Sequence, residues 1–299
     1  MADAYPAWSW NLIADLQQMW AFPFMVNAFR AGTLIAVGAA VIGWFMVLRG
    51  QSFAGHTLAT VGFPGAAGAT LIGVGASYGY FAFCVAAALV IAAVPRGGGA
   101  DGGHESALTG TIQAFLLACG FLFTALYKGL LGGVTSLLFG SFLGITTTQV
   151  WVLLAVTAAV LAVLALLGRP LLFASVDPDV AAARGVPVRL LSTVFLVLLG
   201  AAAAEASQIT GTLLVFALLV MPAATARALT ARPVLSLALS VLVALLVTWL
   251  GLIAAYFSPY PIGFYVTTFA FACYVLARVG PPLRRAAAPR LLRVGGAAR

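Results

Sequence analysis

The chain has 299 residues, of which 63% are hydrophobic and 7% charged. A soluble domain carries roughly 45–50% apolar and about 25% charged residues, so a water-soluble globule is excluded and a polytopic membrane protein is indicated. The net charge of +8 comes from fourteen Arg and one Lys against seven acids. In a soluble protein that balance would suggest nucleic acid; here the basic residues fall between apolar runs, where they set membrane orientation, and no nucleic-acid partner is expected.

Residues 1–29 carry no basic side chain before Arg30 and so lack the basic start of a cleaved signal peptide. Trp8, Trp10, Trp20 and Phe22 are interleaved there with Asn11, Asp15, Gln17 and Gln18, the pattern of an interfacial segment with aromatics at headgroup level. Crossing the roughly 30 Å hydrocarbon layer takes about 20 apolar residues. Nine stretches approach this: Ala31–Leu48, His56–Ser77, Tyr78–Pro95, Ala107–Tyr127, Val150–Leu167, Val188–Ile209, Gly211–Ala226, Val234–Phe257 and Ile262–Ala277. The second is interrupted by Pro64 and glycines, and the sixth and seventh nearly touch, so eight spans also fit the pattern. Small residues crowd the first, second and sixth stretches (Gly32, Gly38, Gly43; Gly62, Gly65, Gly68, Gly73; Gly200 and Ala201–Ala204), which lets helix backbones approach closely. The expected fold is therefore an all-α helical bundle of eight to nine transmembrane helices over residues 30–278, followed by a basic tail, 279–299.

Orientation follows from the Arg/Lys distribution. With nine spans and an extracytoplasmic N-terminus, Arg49, Arg96, Arg169, Arg184, Arg189, Arg227, Arg232, Arg278 and the five arginines of the tail all fall in the cytoplasm, while only Arg30 and Lys128 fall outside. The C-terminal tail would lie in the cytoplasm against anionic lipid or a partner. Cys84, Cys119 and Cys273 lie inside apolar runs without paired spacing, which argues against a disulfide framework or zinc cluster.

The chain carries little chemistry of its own. With Lys128 the sole lysine there is no G-x-x-x-x-G-K-[ST] phosphate loop, and there is no H-E-x-x-H, G-x-S-x-G or intramembrane Asp pair. No catalytic residue and no cofactor are expected, so uphill movement of a solute would draw energy from a partner or an ion gradient. Glu205, near the outer end of the sixth span, is followed by Gln208 and Thr210; a carboxylate at that depth faces a cavity or partner, or snorkels to water. Pro222 interrupts the seventh span near its cytoplasmic end, and the carbonyls it frees must find neighbours, which places the kink inside protein. Met221 and the cysteines read as packing, and His104 as a solvated loop residue.

One connector has its own punctuation. In Asp177-Pro-Asp-Val-Ala-Ala-Ala-Arg-Gly-Val-Pro187, Asp177 is suited to an N-cap and Pro178 to the first helical position. Asp179 favours the positive end of the helix dipole, Ala181–Ala183 favour helix, and Gly185 suits the stop. The spacing predicts a capped two-turn helix on the cytoplasmic side, either an interfacial turn or a helix offered to a partner.

Three segments resemble the membrane permeases of zinc/manganese/iron-uptake ABC transporters: VLRGQSFAGHTLA (Val47–Ala59), SVDPDVAAARGVPV (Ser175–Val188) and GTLLVFALLVMPAATAR (Gly211–Arg227). LLFGSFLG (Leu137–Gly144) is a fourth, weaker match. The resemblance runs from about Phe24 to Leu276. It implies a multi-pass cell-membrane permease working as a homodimer. A separate cytoplasmic ABC ATPase would dock on the segment carrying Asp177, Asp179, Ala182, Arg184 and Gly185, and an extracytoplasmic substrate-binding protein would deliver a divalent transition metal. Where the family has an Asp and a His one helical turn apart in the second span, this chain has His56 and Thr60. The spacing still puts both on one face, beside the Pro64 kink. An imidazole is a common metal ligand, whereas a Thr hydroxyl is a poor one for borderline metals. Gln208 matches a Gln of manganese-type members. The altered pair leaves room for an ABC permease with a non-metal cargo. A stand-alone secondary transporter would need an ionisable pair at mid-membrane, to which only Glu205 could contribute.

Overall fold

A computed structural model of the chain describes residues 12–93, 102–127, 140 and 144–287. Every regular element among them is a helix: α1 (Leu12–Trp20), α2 (Pro23–Leu48), α3 (Ser52–Leu71), α4 (Ala76–Ala93), α5 (Gly102–Leu126), α6 (Thr147–Val176), α7 (Pro178–Ala183), α8 (Val188–Thr210), α9 (Thr212–Leu229), α10 (Pro233–Tyr256) and α11 (Ile262–Ala287). Seven of these, α2, α4, α5, α6, α8, α10 and α11, are long and apolar enough to cross a bilayer. The other two expected spans are α3 and α9. In α3, His56, Pro64 and four glycines dilute the apolar run, and α9 has 18 residues with Pro222 inside it.

Helix boundaries depart from the apolar stretches in three places. α2 begins eight residues before Ala31, because Pro23 at its first position already has helical φ, so Asn27 and Arg30 ride on the helix. α3 stops at Leu71, and Ser77 belongs to α4. α6 has 30 residues, starts on a capping box made by Thr146 and Gln149, and continues through Pro170 to Val176. At 1.5 Å per residue it is about 45 Å long, about 15 Å more than the hydrocarbon layer. His104 lies in the first turn of α5 rather than in a loop. Most of Leu137–Gly144, Lys128, Arg96 and residues 288–299 lie outside the described residues.

Helices α2, α3, α8 and α9 form the centre. α2 packs on α6, α9 and α10; α8 on α3, α4, α6 and α9; and α9 on α10 and α11, while α5 lies against α3. Between helices in lipid, close packing and hydrogen bonds replace the hydrophobic drive, and both are visible. At the α3–α4 crossing a Cβ added to Gly65 would lie 2.3 Å from the Gly79 carbonyl oxygen, and at the α2–α9 crossing one added to Gly43 would lie 2.0 Å from the Leu219 carbonyl oxygen. Between α2 and α10, the Trp44 indole Nε1 donates to Ser236 Oγ at 3.0 Å and Ser240 Oγ donates to the Ala40 carbonyl at 3.3 Å. Side chains facing outward are large and apolar, among them Phe115, Trp151, Leu166 and Val234.

Contacts between helix ends fix the alternation. Arg49, at the end of α2, reaches Ser175 at the end of α6 and Ser192 at the start of α8, and Arg227 Nη1 donates to the Val47 carbonyl at 2.7 Å. At the opposite end Asn27 Nδ2 donates to the Ile145 carbonyl at 3.1 Å. α7 lies at the Arg49 end.

Candidate functional site

The capped connector folds as its sequence dictates. Asp177 Oδ1 accepts from the Val180 backbone N–H at 3.0 Å, Pro178 is the first helical residue, and Asp179 lies in the first turn. At the other end Gly185, at φ 81°, lets its own N–H reach the Ala182 carbonyl and the Val186 N–H reach the Ala181 carbonyl, both at 3.0 Å. That is a Schellman stop, which needs the left-handed backbone glycine tolerates best. Ala181 is fully buried, whereas Asp177, Asp179, Ala182, Arg184 and Gly185 are all exposed. α7 thus rests on α6 and α8 by one small side chain and turns the rest of its surface outward.

Arg49 holds the base of that helix. Its Nη1 donates to Ser175 Oγ at 3.1 Å, its Nη2 to Ser192 Oγ, and its Nε to Gln51 Oε1 at 3.2 Å, while the guanidinium lies 5.4 Å from the Phe195 ring centroid. Ser175 and Ser192 flank α7 on either side, so one side chain ties α2 to both neighbours of the connector. Sequence reading took Arg49 for an orientation charge; its partners are 126 and 143 residues away, beyond any local pattern.

On α3, His56 and Thr60 do share a face, with different environments. The His56 ring meets Phe216 of α9 edge-on at 4.6 Å, and its Nδ1 is buried without a hydrogen-bond partner. That nitrogen keeps its capacity as a donor, acceptor or ligand atom. The Thr60 hydroxyl is buried and turned back onto its own helix, donating to the His56 and Thr57 carbonyls at 3.1 and 3.0 Å. One turn on, Pro64 has no N–H, which leaves the Thr60 carbonyl without its helical donor. Beside this face Thr57 donates to Gln113 Oε1 of α5 at 2.8 Å. Neither Phe216 nor Gln113 carried a signal in the sequence. Among the described residues no three His, Cys, Asp or Glu side chains gather as a metal-holding group.

Glu205 does not snorkel. It is 6% exposed, and its Oε2 is buried without a hydrogen-bond partner. It lines a cavity of about 20 Å³ with Gly38 and Ala39 of α2, Thr157 of α6, and Val215 and Leu219 of α9, room for a single water. The helix continues past it to Thr210 and turns into α9 through Gly211 alone, at φ 76° and ψ 157°, a backbone region essentially reserved for glycine. Gln208 donates to the Ala204 carbonyl at 3.4 Å within its own helix. Pro222 is buried inside an unbroken α9, where Thr225 Oγ1 donates to the Met221 carbonyl at 2.7 Å. Pro222 is thus enclosed by protein.

The ABC 3 transport family matches residues 21–280. The chain belongs to this family. As an ABC 3 permease it is 31% identical, over 74% of its length and 75% of the relative's, to the manganese transport system membrane protein MntC of Halalkalibacterium halodurans. It is 32% identical, over 72% of its length and 75% of the relative's, to the manganese import system permease protein ScaB of Streptococcus parasanguinis. Its fold matches a chain of PsaBC from Streptococcus pneumoniae, solved with a Fab, at a TM-score of 0.78 and 25% identity, covering 89% of this chain and 95% of that one. A second solved ABC transporter, in an inward-facing conformation, shares the fold at a TM-score of 0.70 and 19% identity, covering 92% of each chain. The ABC 3 permease is a multi-pass membrane component, and the family's transporters hydrolyse ATP on a separate subunit.

Proposed function

We propose that this permease imports a divalent transition metal, manganese foremost, with ATP hydrolysed by a cytoplasmic partner that docks on α7 and cargo handed over by an extracytoplasmic binding protein. The observation that carries the reading is the α7 region: a helix capped at both ends, exposed except at Ala181, and clamped to the bundle through Arg49. A connector alone needs none of these. The choice of manganese rests on the relatives whose names specify it, with zinc and iron as the nearest alternatives. Two copies form the working unit, α3 facing the route between them. The arginine distribution puts the α7 end in the cytoplasm, with the N-terminus outside; a reporter fused after Arg299 is then cytoplasmic and a Cys near Ala4 is labelled from outside.

On this reading His56 offers the passing metal one imidazole nitrogen and Thr60 offers no free hydroxyl, so the metal is held briefly, which suits passage rather than storage. The spent Thr60 hydroxyl is also what favours the second reading, an ABC permease whose cargo is not a bare metal. Co-reconstitution with its ATPase in proteoliposomes tests both. His56→Ala lowers metal transport more than it lowers incorporation, and Thr60→His slows metal release. Wild-type transport by both variants moves the route elsewhere and favours the non-metal cargo.

A further inference from the structure

A groove of about 720 Å³ opens between α2, α6 and α10 at the end of the bundle opposite α7, with Trp20 of α1 at its edge. Its walls follow from helical spacing. Positions 26, 29, 30, 33 and 34 make one face of α2, and positions 147, 150, 151 and 154 make one face of α6. Trp151 of α6 and Trp249 of α10 both line the groove, and Trp249 Nε1 donates to Thr33 Oγ1 at 3.0 Å, which holds that indole against α2. Trp20 stacks on Phe29 at 5.9 Å between centroids. From Val26 to Leu34 the groove runs about 12 Å along α2, less than half the hydrocarbon thickness, so it lies within one leaflet.

Among the described residues Arg30 is the only charged side chain lining this groove. It is exposed there, and among the described residues it has no hydrogen bond or ion pair. An unpaired guanidinium on a transmembrane helix is costly and demands an anion or water. Interfacial tryptophans mark headgroup depth, and the apolar surface below them matches hydrocarbon. We propose that the groove is a binding site for one anionic phospholipid, its phosphate on Arg30 and an acyl chain between Trp151 and Trp249. The guanidinium fork suits a phosphate, which accepts two parallel N–H bonds. The occupant is taken to be a lipid because, among the described residues, the one charge is cationic, the rest of the lining is apolar, indole or hydroxyl-bearing, and the groove opens toward the bilayer along membrane-spanning helices.

Native mass spectrometry of the full-length permease, released from detergent with phosphatidylglycerol or phosphatidylcholine of identical chains, tests the site. One phosphatidylglycerol per protomer is retained, in preference to phosphatidylcholine; this comparison needs no variant. Arg30→Gln lowers phosphatidylglycerol affinity about tenfold and abolishes the preference, Arg30→Lys keeps part of it, and Leu154→Trp, which fills the groove, lowers retention of both lipids. Arg169→Gln, at an exposed arginine near the other end of α6, changes neither. Equal retention of the two lipids by the wild type, or an Arg30→Gln variant no weaker than Arg169→Gln, overturns the proposal. Disulfide-linked dimers of Trp151→Cys in membranes also overturn it, by putting a second copy of the chain in the groove.

Discussion

Replacing Arg49 by Ala removes its side-chain hydrogen bonds to Gln51, Ser175 and Ser192 and a cation–π contact at the base of α7. Hydrogen bonds to a charged group are worth about 1.5–3 kcal/mol each, and a partly exposed cation–π contact about 0.5–1 kcal/mol. The bond to Gln51, a neighbour in the same turn, restricts little and contributes little. Arg49 is half-buried, so solvent competes for the other two, and the net loss is about 3 kcal/mol, within the range of disrupted buried networks. Arg49→Lys keeps the charge but not the fork and costs about half as much. Membrane proteins often unfold irreversibly, so thermal inactivation in detergent at one fixed scan rate is the appropriate stability assay. Trypsin supplies the local readout, because Arg184 is exposed at the end of α7 and is cut faster once the helix loosens. In the reconstituted transporter Arg49→Ala also lowers transport per ATP hydrolysed. A variant that inactivates with wild type and is nicked at Arg184 no faster would refute the clamp.

Two further predictions concern α7 and the buried carboxylate. Ala182→Arg places a long cation on the exposed face of α7; it leaves the permease in the membrane but uncouples ATP hydrolysis from transport, and unchanged coupling would reduce the segment to a connector. Glu205→Leu removes a buried, unpartnered carboxylate, which stabilises the fold by about 1–2 kcal/mol while slowing transport. A destabilised Glu205→Leu, read by the same inactivation assay, would mean that the carboxylate has a structural partner.

The fold was legible where the physics is local or periodic. Apolar runs located all nine of the expected helices, and Asp177, Pro178 and Gly185 marked both ends of α7 because caps depend on side chains a few residues away. Boundaries failed where polar residues ride on a helix: Asn27 and Arg30 hid the first two turns of α2, and Arg169 and Pro170 hid the last turns of α6. The sequence left Glu205 between a cavity and snorkelling because its depth is set by α2, α6 and α9 around it, not by its distance from the end of its own span. The Arg49 clamp and the His56–Phe216 contact lay beyond sequence reading for the same reason, since each joins residues more than a hundred positions apart. The pairing of His56 with Thr60 was legible as a shared face, but only the structure shows that the Thr60 hydroxyl is spent on its own backbone.

The proposed function is import of manganese into the cell on ATP energy supplied by a partner. Uptake of radioactive manganese by cells with and without the gene, with unlabelled zinc, iron or manganese as competitor, tests it most directly. On that function, uptake falls to background without the gene, is restored by it only when an ATPase subunit is present, and is blocked most strongly by unlabelled manganese. Manganese uptake that is identical with and without the gene, or that persists on the permease alone, would contradict it.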